Sequence, residues 1–237
     1  LLIRNNAFSG YSKLTNITFK AQKSIVLQDS CFFAAINLEY ITLDSEEVEI
    51  HNNCFKGCRN LTSIAFKNVQ KASIGSNSFD QCQKLRIIYI STTSDIKLND
   101  YCFCGANNLD SVKLTSKVIE IGKYCFKDCK YLSEIHLHDS DDSTIGFIAF
   151  SGCESLQNIK ISVKSNLTIC NYCFSGANNL KTVSLSGNFL LIGDCIFKDC
   201  PSLISASFKS SSKSQISDKA FYKSPEKLKL DLSMLNK

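Results

Sequence analysis

The sequence is short of several residue types that commonly carry a function. Its 237 residues include no tryptophan, one methionine, two prolines and only three histidines, which are His51, His136 and His138. This leaves few side chains for imidazole-based catalysis or metal binding. No apolar run approaches the roughly 18 residues of a membrane-spanning helix, and the first residues lack the pattern of a signal peptide. We therefore expect no direct membrane insertion in this segment.

Charge of one sign is not concentrated anywhere either. The net charge is +5, but no block of consecutive lysines or arginines gathers that charge on one element. A nucleic-acid partner is therefore not indicated. The sequence also has no glycine-rich phosphate loop, no GxSxG motif and no recognisable pair of catalytic carboxylates. These observations predict a protein that is not an enzyme and that needs no cofactor.

Cysteine, in contrast, is abundant, with thirteen residues. Residues 121–132 read IGKYCFKDCKYL and place Cys125 and Cys129 four apart around a phenylalanine. Positions four apart on a helix share one face, so the pair fits a metal half-site, a redox couple or two small residues that point inward. The choice among the three depends on the other copies of this stretch.

A phenylalanine recurs ten times at intervals of 23 or 24 residues, and we call this series the spine phenylalanines: Phe8, Phe32, Phe55, Phe79, Phe103, Phe126, Phe150, Phe174, Phe197 and Phe221. An aliphatic residue stands five positions before each of them. A leucine stands six positions after each of them except the last, where Lys227 replaces it. So regular a period indicates one repeated structural unit that stacks on its neighbours.

Within each unit, apolar residues first stand at every second position, then at spacings of three to four, and then again at every second position. Alternating apolar residues at 118–121 and 134–137 predict two short strands. The phenylalanine and its neighbours, at spacings of three to four, predict a short helical turn between the strands. We therefore predict a solenoid of about ten repeats of 23–24 residues, each a strand, a short helical turn and a strand, which share one hydrophobic core.

The consensus IGxxxFxxCxxL followed by LxxIxL resembles the BspA-like (treponemal-type) leucine-rich repeats, from Ile3 to Leu232. Gly75, Gly122 and Gly146 are among the residues that match the family's glycine after the isoleucine, whereas the usual proline after the second strand is missing. The resemblance implies a leucine-rich-repeat solenoid with a parallel sheet on its concave face. It also implies a surface protein of bacteria or parasitic protists that adheres to host cells or matrix.

Ten cysteines fall into two columns beside the spine phenylalanines. The other copies place mainly alanine, and also serine, tyrosine or isoleucine, in the same columns, and a small buried slot tolerates such exchange better than a metal ligand does. We therefore interpret them as buried free thiols. One column, directly before the phenylalanine, holds Cys31, Cys54, Cys102, Cys125 and Cys173, and the other, three after it, holds Cys58, Cys82, Cys129, Cys153 and Cys200.

Other interpretations of the cysteines stay open. Stacked coils would bring Cys31 near Cys54, Cys102 near Cys125 and Cys129 near Cys153, at a spacing that disulfides accept. The three cysteines outside the columns are the more reactive candidates, and they are Cys104, Cys170 and Cys195. Zinc is disfavoured because a structural site needs four convergent ligands. A divalent metal at His136, His138 and the aspartates Asp139, Asp141 and Asp142 is disfavoured as well, since an exposed strand and an acidic turn explain them.

The outward positions of the LxxIxL strands supply the candidate binding site, because these residues form a ladder on the predicted concave face. The middle of the ladder combines an aliphatic, an aromatic and several charged side chains, which are typical anchors of protein interfaces. A sheet roughly 45 Å wide suits a macromolecule better than a metabolite. We predict ligand binding by Ile87, Tyr89, Lys113, Glu134, His136 and Lys160.

Three sequons place potential glycans at Asn16, Asn60 and Asn166. They favour a cell-surface or secreted protein, whereas many free thiols favour a reducing compartment. The two functional hypotheses are therefore an adhesion module for a host-cell or matrix protein and an intracellular scaffold for a cytoplasmic protein. We expect residues 1–237 to be a single solenoid domain, one stretch of a longer protein.

Overall fold

The computed structural model describes residues 1–138 and 140–235, and it contains two strands per repeat. The first strand of each repeat joins a ten-stranded parallel sheet in chain order. Its strands are β1 (Leu2–Ile3), β3 (Ser24–Leu27), β5 (Glu47–Ile50), β7 (Lys71–Ile74), β9 (Asp95–Leu98), β11 (Val118–Ile121), β13 (Asp142–Ile145), β15 (Asn166–Ile169), β17 (Phe189–Ile192) and β19 (Gln215–Ile216).

The second strands form three successive parallel sheets. The first sheet contains β2 (Asn16–Lys20), β4 (Tyr40–Asp44) and β6 (Ser63–Lys67), and the second contains β8 (Ile87–Ser91), β10 (Ser111–Thr115) and β12 (Glu134–His138). The third contains β14 (Asn158–Ser162), β16 (Thr182–Gly187), β18 (Ser205–Ser210) and β20 (Lys229–Leu235). The predicted solenoid of ten stacked repeats with parallel sheets is thereby confirmed.

Alternation explains why these short segments are strands. In β11, Ile119 and Ile121 are buried while Glu120 points to solvent, and in β12 Ile135 and Leu137 are buried while Glu134 is exposed. Each strand thus covers one side of the core and presents the other side to water. Because both strand series bury their apolar residues, the core lies between the two layers of sheet.

The spine phenylalanines form a continuous stack through that core. The rings of Phe103 and Phe126 have centroids 5.1 Å apart, and those of Phe126 and Phe150 are 5.0 Å apart, with nearly parallel planes. The eight from Phe32 to Phe197 are completely buried. One hydrophobic cluster therefore joins all the repeats, and no single repeat could bury its apolar face alone.

The predicted helical turn was wrong: the described part of each repeat has tight turns between its strands and no helix. Around Phe126, the backbone N–H groups alternate between two kinds of acceptor. Those of Tyr124, Phe126 and Asp128 donate to carbonyls of the next repeat, at 2.8–2.9 Å. Those of Lys127 and Cys129 donate three residues back within the repeat. A helix would use all these donors internally and would leave nothing to bond the next coil.

Two residues per repeat adopt positive φ to allow this alternation. They stand two before and two after the spine phenylalanine, as Tyr124 (φ 55°) and Asp128 (φ 58°) do around Phe126. The same pair of positions recurs from the repeat of Phe8 to that of Phe197. Apolar spacings of three to four fit these turns as well as they fit a helix, so periodicity alone could not distinguish the two.

All ten column cysteines are buried, as the packing interpretation predicts. The structure adds a role that alanine could not fill. Each thiol in the second column donates a hydrogen bond to the carbonyl of the spine phenylalanine one repeat earlier, as Cys129 does to Phe103 at 3.2 Å. Ser224 makes the same bond to Phe197. The others are Cys58 to Phe32, Cys82 to Phe55, Cys153 to Phe126 and Cys200 to Phe174.

Candidate functional site

The six predicted binding residues lie on neighbouring strands of the second series. We call the outward side chains of β8, β10, β12 and β14 the β8–β14 face. Strand register places Tyr89, Lys113 and His136 in one row, since Lys113 pairs with both of the others. Ile87 and Glu134 belong to the adjacent row, on either side of Ser111. Lys160 lies on β14, the first strand of the next sheet.

A charged group occupies the centre of the β8–β14 face. The Glu134 carboxylate lies 3.8 Å from Lys113 Nζ and 3.3 Å from His136 Nε2. The His136 and His138 rings are stacked, with centroids 5.3 Å apart. Ion pairs at such exposure add little to stability, because water screens them and their side chains lose entropy. A ligand that breaks these ion pairs would therefore reduce the stability of the fold only slightly.

Two large apolar side chains stand beside the charged group. Ile87 is 54% exposed and Tyr89 is 58% exposed, on the strand next to Lys113. Between Ile87 and Glu134, the Ser111 hydroxyl is buried and has no hydrogen-bond partner among the described residues. Exposed apolar area next to charged groups is what interface hot spots provide, because burial by a partner removes the apolar surface from water.

A cleft of about 740 Å³ lies where β12 meets β14. These two strands are not joined by a β-ladder, so the second and third sheets are separate at this point. Glu134, His136 and His138 line one side of the cleft, and Asn158 and Lys160 line the other. Lys160 has no ion-pair partner in the described part of the chain, so its ammonium group at the cleft is available to a ligand.

The acidic turn after β12 is not organised around the histidines. Asp141 pairs with Lys164 at 3.0 Å, and Asp142 accepts hydrogen bonds from the backbone and side-chain amides of Asn166. Asp139 lies outside the described residues. Within residues 1–138 and 140–235, no group of three or more histidine, cysteine, aspartate or glutamate side chains is placed to hold a metal ion.

The cysteines outside the columns differ in accessibility. Cys104 and Cys170 are partly exposed, and burial raises the pKa of both thiols. Cys195 is buried. Cys170 and Cys173 have CxxC spacing, but Cys173 is completely buried while Cys170 is only half-buried. Raised pKa values reduce the reactive thiolate, so the structure gives Cys104 and Cys170 no enhanced reactivity.

The three sequon asparagines occupy different surroundings. Asn16 is exposed on β2, and Asn60 lies in the loop before β6, where its amide is 3.4 Å from Asn37 Oδ1. Asn166 is exposed on β15 of the ten-stranded sheet, and its amide donates to Asp142 at 2.7 Å. A glycan on Asn166 would be attached to the nitrogen that makes that hydrogen bond. Glycosylation at all three positions stays a prediction.

A row of aromatic side chains in the turns that follow the first strand of each repeat was not predicted from the sequence. Ring centroids lie 4.7 Å apart for Tyr101 and Tyr124, 5.5 Å for Tyr124 and Phe147, and 6.0 Å for Phe147 and Tyr172. The three tyrosines have positive φ, which is costly for bulky residues. The same position holds Asn6, Asn53 and Asn77 in earlier repeats. That exchange of asparagine for tyrosine is the sequence signal that could have revealed the row.

The fold and the repeated strands define a leucine-rich-repeat solenoid. A family model described as BspA type leucine rich repeat region (6 copies) matches residues 2–97 and 96–227, and the chain belongs to this family. Leucine-rich repeats of this kind are typically binding modules without catalytic activity, and they generally act through protein–protein contacts. No helix in the described residues is long and apolar enough to cross a membrane. No curated protein matches the chain.

Three solved structures that are similar to the chain are distant from it in sequence. A leucine-rich repeat protein from Bacteroides ovatus is 16% identical, with a TM-score of 0.46, 97% of this chain covered and 86% of that chain. The T. pallidum leucine rich repeat protein is 17% identical, with a TM-score of 0.46 and 81% and 78% covered. The pneumococcal vaccine antigen PcpA is 15% identical, with a TM-score of 0.42 and 94% and 79% covered.

Proposed function

We propose that this chain is the adhesion module of a cell-surface or secreted protein and that it binds a host-cell or matrix protein through the β8–β14 face. The observation that carries the proposal is the exposed pair Ile87 and Tyr89 beside the Lys113, Glu134 and His136 group. Membership of the BspA-type family supports the location at the cell surface. A solenoid presents such an extended surface without a deep pocket, which suits a protein ligand.

Each part of the face has a role in this proposal. Tyr89 and Ile87 supply apolar area that the partner covers, and Tyr89 also has a hydroxyl that can hydrogen-bond at the edge of the contact. Lys113 and Glu134 supply charges of both signs, which orient the partner and discriminate against wrong ones. The free cation Lys160 at the cleft favours a partner with a carboxylate at that point.

The experiment compares a double variant with a matched control. Tyr89→Ala with Lys113→Glu removes the aromatic anchor and inverts one charge. Tyr40→Ala with Lys67→Glu makes the same changes on β4 and β6, where Tyr40 is 51% exposed. Binding to labelled surface proteins of host cells and to immobilised matrix proteins is measured by titration. We expect at least a tenfold weaker affinity for the first variant only, with equal thermal midpoints for both.

The result that would contradict the proposal is equal binding by both variants, which would place the binding surface elsewhere. Antibody raised against the purified chain tests the location separately. Labelling of intact source cells supports a surface protein, and labelling only after permeabilisation overturns that part of the proposal.

The thirteen cysteines, all free thiols in this structure, favour a second candidate, an intracellular scaffold that binds a cytoplasmic protein through the same face. The two candidates differ in where the ligand is found. Saturable binding that depends on Tyr89 and Lys113 and that occurs only with cytosolic protein would favour the scaffold.

A further inference from the structure

Two cysteines of adjacent repeats lie in direct contact in the core. The Sγ atoms of Cys31 and Cys54 are 3.2 Å apart, and both side chains are completely buried. Both stand directly before a spine phenylalanine, and the two turns are bonded together by the Phe32 N–H to Cys54 carbonyl hydrogen bond at 2.9 Å. The distance is too long for a bond between sulfurs, which is about 2.0 Å, and the two atoms would have to approach by roughly 1.2 Å to form one.

A second pair of neighbouring cysteines occurs farther along the column. Cys102 and Cys125 stand at the same positions of adjacent repeats, their buried thiols are close enough to influence each other, and the turns are joined by the Phe103 N–H to Cys125 carbonyl bond at 2.8 Å. Cys173 is the fifth cysteine of this column, and Ala149 and Ile196 occupy the same position in the repeats beside it. The column therefore contains two pairs and one cysteine without a pair.

The second cysteine column is arranged differently. Its thiols each donate to a backbone carbonyl of the preceding repeat, as described for Cys129 and Cys153. A disulfide between Cys129 and Cys153 would remove the hydrogen of both donors and leave the Phe103 and Phe126 carbonyls without those bonds. Cross-linking in this column is therefore opposed, whereas the Cys31 and Cys54 thiols hydrogen-bond to each other, so a bridge between them replaces that bond.

We propose that Cys31–Cys54 and Cys102–Cys125 become two disulfides, each joining neighbouring repeats, when the chain folds in an oxidising compartment. The oxidant is a small or protein disulfide such as glutathione disulfide. One cysteine attacks it, forms a mixed disulfide and releases one glutathione thiol. The second cysteine then attacks the mixed disulfide and releases the other. Each bridge thus oxidises two protein thiols, reduces one glutathione disulfide and transfers two protons to the glutathione thiols.

The bridges must form before the core closes. Cys31, Cys54, Cys102 and Cys125 have no accessible surface in the folded chain. Burial also raises the pKa values of the Cys54 and Cys102 thiols well above the ordinary value, so little thiolate exists once they are packed. Oxidation therefore accompanies folding and is not a switch that operates on the native protein.

The test refolds the whole chain from denaturant in a buffer of reduced and oxidised glutathione. Free thiols are then alkylated under denaturing conditions, and the intact mass is measured. We expect four of the thirteen cysteines to escape alkylation. Cys31 and Cys54 lie in one tryptic peptide, because no lysine or arginine stands between Lys23 and Lys56, so a glutamate-specific protease is added before mapping. The bridged form should also have a thermal midpoint several degrees higher than the reduced form.

Single variants provide the control. Cys31→Ala and Cys102→Ala should each remove one bridge, and alanine fills the same slot at Ala149 and Ala220. The matched variant Cys173→Ala should keep both bridges. Complete alkylation after refolding, or bridges that map to Cys129 and Cys153, would overturn the proposal. The readout does not depend on ligand binding or on location, so it fails or succeeds independently of the proposed function.

Discussion

At the scale of single residues, the cysteine thiols of the second column help to hold neighbouring repeats together. Cys129 and its equivalents do two things at once: they fill a buried slot, and they donate to the carbonyl of the preceding spine phenylalanine. Ser224 shows that the hydrogen bond is a separable part of the role, since its hydroxyl makes the same bond to Phe197. Burial of such a thiol is tolerated only while the thiol keeps its proton, because a buried thiolate would carry an unpaired charge.

That condition predicts a loss of stability in mild alkali. Burial raises the pKa of the Cys58 and Cys200 thiols to about 12. The unfolded chain releases these protons from about pH 8.5–9, whereas the folded chain retains them. The contribution of these two thiols to the free energy of unfolding is therefore fully present below about pH 8.5 and is lost as the pH rises towards 12. Cys58→Ala should reduce the loss between pH 7.5 and 9.5 by about 1 kcal/mol, measured by urea unfolding in reductant.

Cys58→Ser is the control for this prediction. It keeps a donor to the Phe32 carbonyl but does not titrate in this range. Both variants should show the weaker pH dependence, and only the alanine variant should lose the hydrogen bond at pH 7.5. An unchanged alkaline loss in both variants would mean that the Cys58 thiol does not contribute to it.

The next scale is the turn element, where the sequence predicted the positions of the residues but not their conformation. Phe126, Cys129 and Leu132 were correctly placed in the core by their spacing. The same spacing predicted a helix, because periodicity reports which side chains face inward and not where the backbone N–H groups go. The positive φ angles of Tyr124 and Asp128 carry no such signal, since neither residue type demands them.

The structure of the turn also explains why several repeats have a glycine directly after their first strand. A Cβ atom on Gly146 would lie 2.6 Å from the Gly122 carbonyl carbon, against backbone that cannot move independently of its own repeat. The family consensus contains this glycine, but its reason, the close approach of two backbones, needed the structure. Asn99 and Cys170 show that some repeats leave room at the position.

Gly146→Ala should therefore destabilise the chain by about 1–3 kcal/mol through overpacking. The matched variant is Cys170→Ala, at the same position of the next repeat, where a side chain is already accommodated, and it should change stability by less than about 1 kcal/mol. Urea unfolding of both variants in reductant measures the difference. Equal free energies of unfolding would show that the turn relaxes around the added methyl group.

At the scale of the whole molecule, the β8–β14 face depends on the stacking of repeats and not on any one strand. The sequence predicted which residues would share this face, because the period of 23 or 24 residues fixes the register, and Tyr89, Lys113 and His136 are neighbours as expected. It did not predict the separation of the sheets between β12 and β14 or the cleft there.

In a solenoid, stability comes from each repeat and from its contacts with the two neighbours. A core substitution should therefore destabilise its own repeat and the adjacent repeats more than distant ones. Phe126 contacts Phe103 and Phe150 through stacked rings and has no direct ring contact with the spine farther away. Phe126→Ala removes both contacts and leaves a cavity, which should cost about 3–5 kcal/mol. The exposed Tyr131 in the same repeat provides a control, because Tyr131→Ala should change stability by less than about 0.5 kcal/mol.

Hydrogen exchange distinguishes a local from a global effect of Phe126→Ala. The amides of β9, β11 and β13, which belong to the damaged repeat and its neighbours, should lose the most protection. Those of β3 and β5, several repeats away, should keep most of theirs, because they lose no contact. A uniform loss of protection along the ten-stranded sheet would show instead that the solenoid unfolds as one cooperative unit and that the spine couples all the repeats.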